Sequence, residues 1–303
     1  MLVGTFKPFV LNSNTHEKKG DLIIYNRSGD HSKVIKPQKE MGCSLQLVVG
    51  YHSKRIQIPT IIHALEIKLI LFSVVIADGF IARDMTFQNT AGPQMHQAVA
   101  LRSSSDHSIF YRCSFKGYQD TLYVHSQRQF YRDCDIYGTI DFIFGYAAAI
   151  FQNCNIYVRR PMIYQQNSVT AHGRSDPNEN TGIVIHHSRI VAAPDLWPAQ
   201  GSFKTFLGRP WMNYSRTVIM KTYIGSLIDP AGWVEWIGDF GLSTLYFGEY
   251  MNRGGGAHTG RRVKWPGYHI LVTAAEARNF SARSFLHGDG WIPATGVPYI
   301  SGL

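Results

Sequence analysis

Short runs in which apolar and polar residues alternate recur along the middle of the chain: FIARDMTFQNT (80–90), SIFYRCSFKGY (108–118), QFYRDCDIYGT (129–139) and AIFQNCNIYVR (149–159). A period of two marks a strand with one buried face. Each run carries a small or sulfur residue at one fixed place, Met85, Cys113, Cys134 and Cys154, at spacings of 28, 21 and 20. IVIHHSRIVAA (183–193) continues the series after a longer insertion, with Ser188 in the same column. Strands at such a period, separated by Gly and Asn turns and without helices between them, predict a solenoid of β coils. The most apolar stretch, from Leu69 to Ala77, lies between Lys68 and Asp78. It is too short to span a bilayer and reads as a buried strand.

Composition agrees with this picture. Aromatic residues make up 13% of the 303 residues, charged residues only 17%, and glycines number 28, a balance that suits a turn-rich β protein. The chain reads as a single domain over 1–303, with residues 1–73 keeping only traces of the pattern seen in 74–303. A net charge of +9 favours a polyanionic partner. No Lys/Arg block of five or more and no nucleic-acid motif occurs, which sets nucleic acid aside. Nor is there a CxxC or HExxH, so a zinc site is not expected. The N-terminal MLVGTFKPFVLNSN is broken by Lys7 and Pro8 and is not a clear signal peptide.

Residues one coil apart stack at about 4.8 Å, within the Cα window of a disulfide. Cys113 and Cys134 are therefore expected to bridge adjacent coils in an oxidising compartment. The alternative is a ladder of buried thiols packing as small hydrophobes.

The same period aligns polar residues that do not belong in a core. Gln97 and Gln119 are 22 apart, and Asp120 and Asp141 are 21 apart. Stacking gathers two amides and two carboxylates, bordered by Tyr118, Tyr123, Phe142 and Phe144. Gln119 and Asp120 are neighbours and can share one site only at a bend. Two stacked carboxylates among aromatics should split in pKa, giving an acid and a nucleophile or base. The amides could donate to a developing oxyanion. A satisfied polar ladder would explain Gln97 alone, but not two carboxylates flanked by apolar residues. Arg209, in FLGRPWMNYS, is the candidate counter-charge; Trp211 beside it suits either a flat face for a sugar ring or a core or hinge role.

GYQDTLY, GTIDFIFG, QAVALR, LGRPW, DGFIARDMTFQNTAG and WPGYHI resemble the plant pectin methylesterases. The likeness runs from about Val74 to the C-terminus, with the motifs in family order. It implies a right-handed parallel β-helix, secreted to the cell wall, that hydrolyses methyl esters of homogalacturonan without a cofactor. It further implies Asp141 as nucleophile, Asp120 as general acid and then base, and Gln97 and Gln119 as oxyanion donors. Arg209 would orient Asp141, while Phe144 and Trp211 line the cleft with Tyr118 and Tyr123. A monomer is expected, with a proteinaceous pectinesterase inhibitor as a further partner and no membrane contact.

The chain departs from the family at Tyr146, where FGYA replaces FGNA, and at Ser188, which leaves Cys154 unpaired. In the early coils His31 and Lys33 stand where the family has Tyr and Glu. Asn26, Asn213 and Asn279 lie in glycosylation sequons. A catalytically impaired pectin-binding relative is the alternative function. A pectate lyase or polygalacturonase would call for calcium-binding or glycosidic carboxylates rather than an amide pair.

Overall fold

The computed structural model describes residues 69–76 and 78–303, together with the strand backbones Leu22–Asn26 and Leu45–Tyr51. Three sheets of seven, eight and seven strands run the length of the molecule, and successive strands visit the three in turn. Pairing among the strands from Ile81–Arg83 onward is parallel, and in register except between Ile140 and Ile143. The chain is thus a parallel β-helix. Sheet I contains Ser114–Lys116, Asp135–Gly138 and Asn155–Val158; sheet II contains Ser108–Tyr111, Arg128–Arg132 and Ala148–Gln152. Sheet III contains Leu101–Ser103, Leu122–Val124, Ile140–Gly145, Asn167–His172 and Thr205–Pro210.

The inward column of sheet II stacks Phe110, Tyr131 and Phe151, with ring centroids 4.8 and 4.4 Å apart. The outward column of the same strands, Ile109, Phe130 and Ile150, is also buried, because the C-terminal segment lays Phe280, Phe285, Leu286 and Trp291 over it. Sheet II therefore reads as a continuous apolar run rather than as clean alternation. The internal stack ends on Glu249, two coils beyond Ile185 through Ile219. Its carboxylate accepts from Arg262 Nε at 2.7 Å, Trp233 Nε1 at 3.3 Å and the Tyr268 hydroxyl at 3.1 Å. This satisfied buried pair closes the C-terminal end of the apolar core.

Between sheets II and I each coil turns on one residue in the left-handed region: Asp84, Arg112, Asp133, Asn153, His187, Lys221 and Met251, with φ from 47 to 56°. The predicted sulfur column follows directly after it. Ser188 does continue the column: its hydroxyl accepts from the Cys154 amide at 3.0 Å, and Thr222 extends the series by accepting from the Ser188 amide at 3.2 Å.

The expected Cys113–Cys134 bridge is not present. Both are free buried thiols, as is Cys154. In-register stacking aims the sulfurs alike, and each settles on a carbonyl: Cys113 on Tyr111 at 3.5 Å, Cys134 on Phe110 at 3.2 Å. The buried-ladder alternative describes this arrangement. Cys43 lies outside the described residues, as do His31 and Lys33.

The early strands also differ from regular coils. Leu22–Asn26 runs antiparallel to Met85–Asn89, and Leu45–Tyr51 antiparallel to Leu69–Val75. Within the apolar run, Leu69–Val75 forms the expected strand. Among the described residues no helix is long and apolar enough to cross a membrane.

Candidate active site

Sheet III carries the chemistry on its outer face. Its register aligns Arg102, Tyr123, Phe144, Ala171 and Arg209 in one column. The predicted bend is present in both acidic coils: Asp120 has φ 61° and Asp141 φ 50°. A left-handed residue reverses the pleat, so each carboxylate joins the outward set while its neighbours return to the wall. The pairing shifts register between Ile140 and Ile143 at this point. Phe142 then enters the core, fully buried, and Gly138 leaves room for it, since a Cβ there would lie 2.2 Å from the Phe142 Cβ.

Successive coils bring the acids together. The Asp120 amide donates to the Ile140 carbonyl at 3.0 Å, and the Ala98 amide donates to the Gln119 carbonyl at 3.1 Å. Gln97, Gln119, Asp120 and Asp141 therefore occupy three adjacent coils at one corner. Asp141 is only 4% exposed. Arg209 grips it through Nε, 2.8 Å from Oδ1 and 3.2 Å from Oδ2, and through Nη2, 2.6 Å from Oδ2. The guanidinium lies 4.1 Å over the Trp236 ring, which fixes its plane.

The two carboxyls are held differently. Burial raises the Asp141 pKa, but Arg209, and far more weakly the nearby Ser168, pull it back toward the charged form. Burial and then the negative charge of Asp141 push Asp120 well above the ordinary carboxylate range, with Arg209 opposing them more weakly. This inequality suits Asp120 to carry a proton and Asp141 to remain the anion. Neither the Gln97 nor the Gln119 side-chain amide has a partner among the described residues, so both are available as donors. Gln119 is half-buried and Gln97 exposed.

Tyr123 and Phe144 stack at 4.5 Å, with Trp211 set edge-on to them at 6.5 and 6.0 Å. This makes a three-ring wall beside the acids. Gly173 permits it, because a Cβ there would lie 2.8 Å from the Trp211 ring. Tyr118 is placed differently. Its hydroxyl accepts from Arg159 Nη2 at 2.6 Å, and its ring is covered by that guanidinium at 3.8 Å, so it buttresses the turn before Asp120. Tyr146 is half-buried at the corner beyond Phe144, its amide donating to the Val124 carbonyl at 3.0 Å.

Sequence reasoning missed Ser168, Trp236 and Arg159. Ser168 stacks on Ile140 across the insertion at 159–166, which hides the period. Trp236 carries no local signal.

A family model for Pectinesterase matches residues 10–289. Pectinesterase 2 of Citrus sinensis is 63% identical over 229 residues, covering 76% of this chain and 45% of its own length. A probable pectinesterase/pectinesterase inhibitor 17 of Arabidopsis thaliana is 51% identical over 306 residues, covering 99% of this chain and 58% of its own length. The chain thus spans about half the length of the curated relatives it matches. Among solved structures, pectin methylesterase from carrot aligns with a TM-score of 0.75 at 56% identity, over 76% of this chain and 73% of that one. The Aspergillus niger pectin methylesterase aligns with a TM-score of 0.62 at 30% identity, over 73% and 67%.

Proposed function

This chain belongs to the pectinesterase family, and on that premise we propose that it hydrolyses methyl esters of homogalacturonan, releasing methanol and leaving galacturonate carboxylates. The observation that carries the reading is the unequal pair of acids: a buried Asp141 held by Arg209 beside an Asp120 pushed toward its neutral form.

In the first half-reaction an oxygen of Asp141 attacks the ester carbonyl carbon. The resulting oxyanion takes hydrogen bonds from the Gln97 and Gln119 amides. The bond to the methoxy oxygen then breaks, and Asp120 gives its proton to the departing methanol. The product is an anhydride between Asp141 and the galacturonyl group. In the second half a water loses its proton to Asp120 and attacks that acyl carbon, freeing Asp141 and the sugar carboxylate. Arg209 orients the nucleophile throughout. Phe144, Tyr123 and Trp211 offer the sugar an apolar wall.

The cell wall is the compartment this substrate implies. Relatives named pectinesterase/pectinesterase inhibitor support an inhibitor protein as a partner. Methanol release from esterified pectin, set against reducing-sugar release, tests the reading. Methanol without new reducing ends is the expected result. Pectin binding without methanol release would favour an impaired relative, and new reducing ends would favour a depolymerase.

A further inference from the structure

The corner between sheets II and I changes character partway along the molecule. In its left-handed column Arg112 Nη2 meets Asp84 at 2.6 Å, and the Asn153 side-chain amide donates to Asp133 at 2.7 Å. The adjoining outward column of sheet I carries a similar pair, the Asn155 amide donating to Asp135 at 2.9 Å. Acids and their partners alternate in these coils and cancel. From the next coil onward no acid stands in either column. The left-handed positions are His187, Lys221 and Met251, and the outward column continues in register through Arg189, Tyr223 and Arg253.

Arg189, Tyr223 and Arg253 are all exposed. The Arg189 guanidinium lies 5.9 Å from the centre of the Tyr223 ring. Arg253 Nη1 donates to the Lys221 carbonyl at 3.0 Å, which ties the two columns together. Burial, and then the charges of Lys221, Arg253 and Arg132, lower the His187 pKa, so these cations surround one point. Among the described residues none of Arg189, Lys221 and Arg253 is paired with a carboxylate. Like charges on stacked strands repel and cost stability. Charges cancelled in the earlier coils and left uncancelled in the later ones make a local field that attracts a polyanion. On the reading above, the cleft turns an uncharged ester polymer into one that carries a carboxylate on each sugar, and that product is the polyanion nearest at hand. Arg189 and Arg253 are two rungs apart, about 10 Å at the spacing of stacked strands, with the Tyr223 ring, 37% exposed, between them. Two guanidiniums so placed take carboxylates from different sugars of one chain, and the ring between them covers an apolar sugar face. None of these residues belongs to sheet III.

We propose that Arg189, Lys221, Tyr223 and Arg253 form a second polysaccharide-binding surface, on the outside of sheet I and away from the catalytic corner, which holds de-esterified galacturonan while the cleft acts elsewhere on the polymer. The proposal rests on the pectin reading of the cleft, and its test separates the two. Binding of the whole chain to polygalacturonate is compared with that of a variant combining Arg189→Gln, Lys221→Gln and Arg253→Gln. A second variant carries Arg189→Lys and Arg253→Lys instead. A third combines Arg261→Gln, Lys264→Gln and Arg278→Gln, which removes the same charge from other exposed positions.

The first variant should bind polygalacturonate more weakly by at least about tenfold, the size of one charge-assisted contact. The lysine variant should keep most of the affinity, and the charge-matched control should lose no more than about twofold. kcat/KM for methanol release from a short esterified oligomer should stay unchanged in all three. Equal losses in the first and third variants would reduce the effect to net charge and overturn the surface, as would no loss in the first. Equally tight binding of fully methylated polymer would overturn it too. Duplex DNA bound as tightly as polygalacturonate, with the same dependence on the three cations, would overturn galacturonan as the occupant. A site-dependent loss of polygalacturonate binding in a chain that releases no methanol would leave the surface standing and remove the esterase reading.

Discussion

Replacing Arg209 with glutamine removes a guanidinium that meets both oxygens of Asp141, at 2.6 to 3.2 Å. Asp141 is 4% exposed, so water cannot replace what is lost. Breaking one partner of such a buried pair costs ~3–5 kcal/mol. At ~1.4 kcal/mol per pKa unit, that equals a rise of about two to four units in the Asp141 pKa. Burial already raises this pKa, and Arg209 is the main restraint on it, so the variant's nucleophile holds its proton to higher pH. The acid limb of the kcat/KM profile for methanol release should move up by at least about two units. At pH values below the shifted limb, activity should fall on the order of a hundredfold. The same shift sets the sign of the stability change. A carboxyl with a raised folded pKa favours the folded state below its unfolded value, near 3.9, and loses that contribution as pH climbs through the folded pKa. The melting deficit of Arg209→Gln should therefore be small at low pH and grow through the neutral range. An acid limb that stays in place, or a melting deficit that shrinks as pH rises, would refute the assignment of Asp141 as the anion restrained by Arg209.

Other substitutions probe the remaining parts. Asp141→Asn removes the like charge that helps raise Asp120, so a carboxyl titration followed by infrared difference spectroscopy should show Asp120 ionising at lower pH. Gln119→Ala should lower kcat on the order of 10²–10³ by removing an oxyanion donor; a change of only a few-fold would take Gln119 out of that role. Gly145→Ala places a Cβ 1.9 Å from the Val124 carbonyl at φ 135° and should destabilise by about 3 kcal/mol, read as a drop in melting temperature. Cys113, Cys134 and Cys154 should resist alkylation until the chain unfolds, and a linked Cys113–Cys134 peptide from native protein would contradict the free ladder.

The coil repeat was legible because a small-or-sulfur column recurs wherever the coil length stays near twenty, and that column locates Asp120 and Asp141 as well. Their convergence followed from spacing. The bend that allows it did not, because a left-handed aspartate has the same letter as an extended one. Where insertions at 159–166 and 193–204 break the period, stacking partners such as Ser168 drop out of view. The thiols were misread because Cα spacing permits a bridge whichever way the sulfurs point. The contact of Tyr118 with Arg159 was not legible either, because Arg159 comes from a later coil.

From Arg112 to Lys221 the left-handed residues between sheets II and I sit in corners of two residues each: 112–113, 133–134, 153–154, 187–188 and 221–222. The other two corners range from the single residue 139 to the stretch 193–204. The molecule therefore behaves like a screw cut against one fixed edge, with all tolerance in pitch moved to the opposite side. A residue added at 133–134 would throw every later coil out of phase, whereas one added at 159–166 would be absorbed where it entered. The catalytic corner and its flanking loops lie on the tolerant side. Cleft shape can therefore be lengthened, shortened or exchanged, loop by loop, without resetting the stack that holds the two aspartates one coil apart.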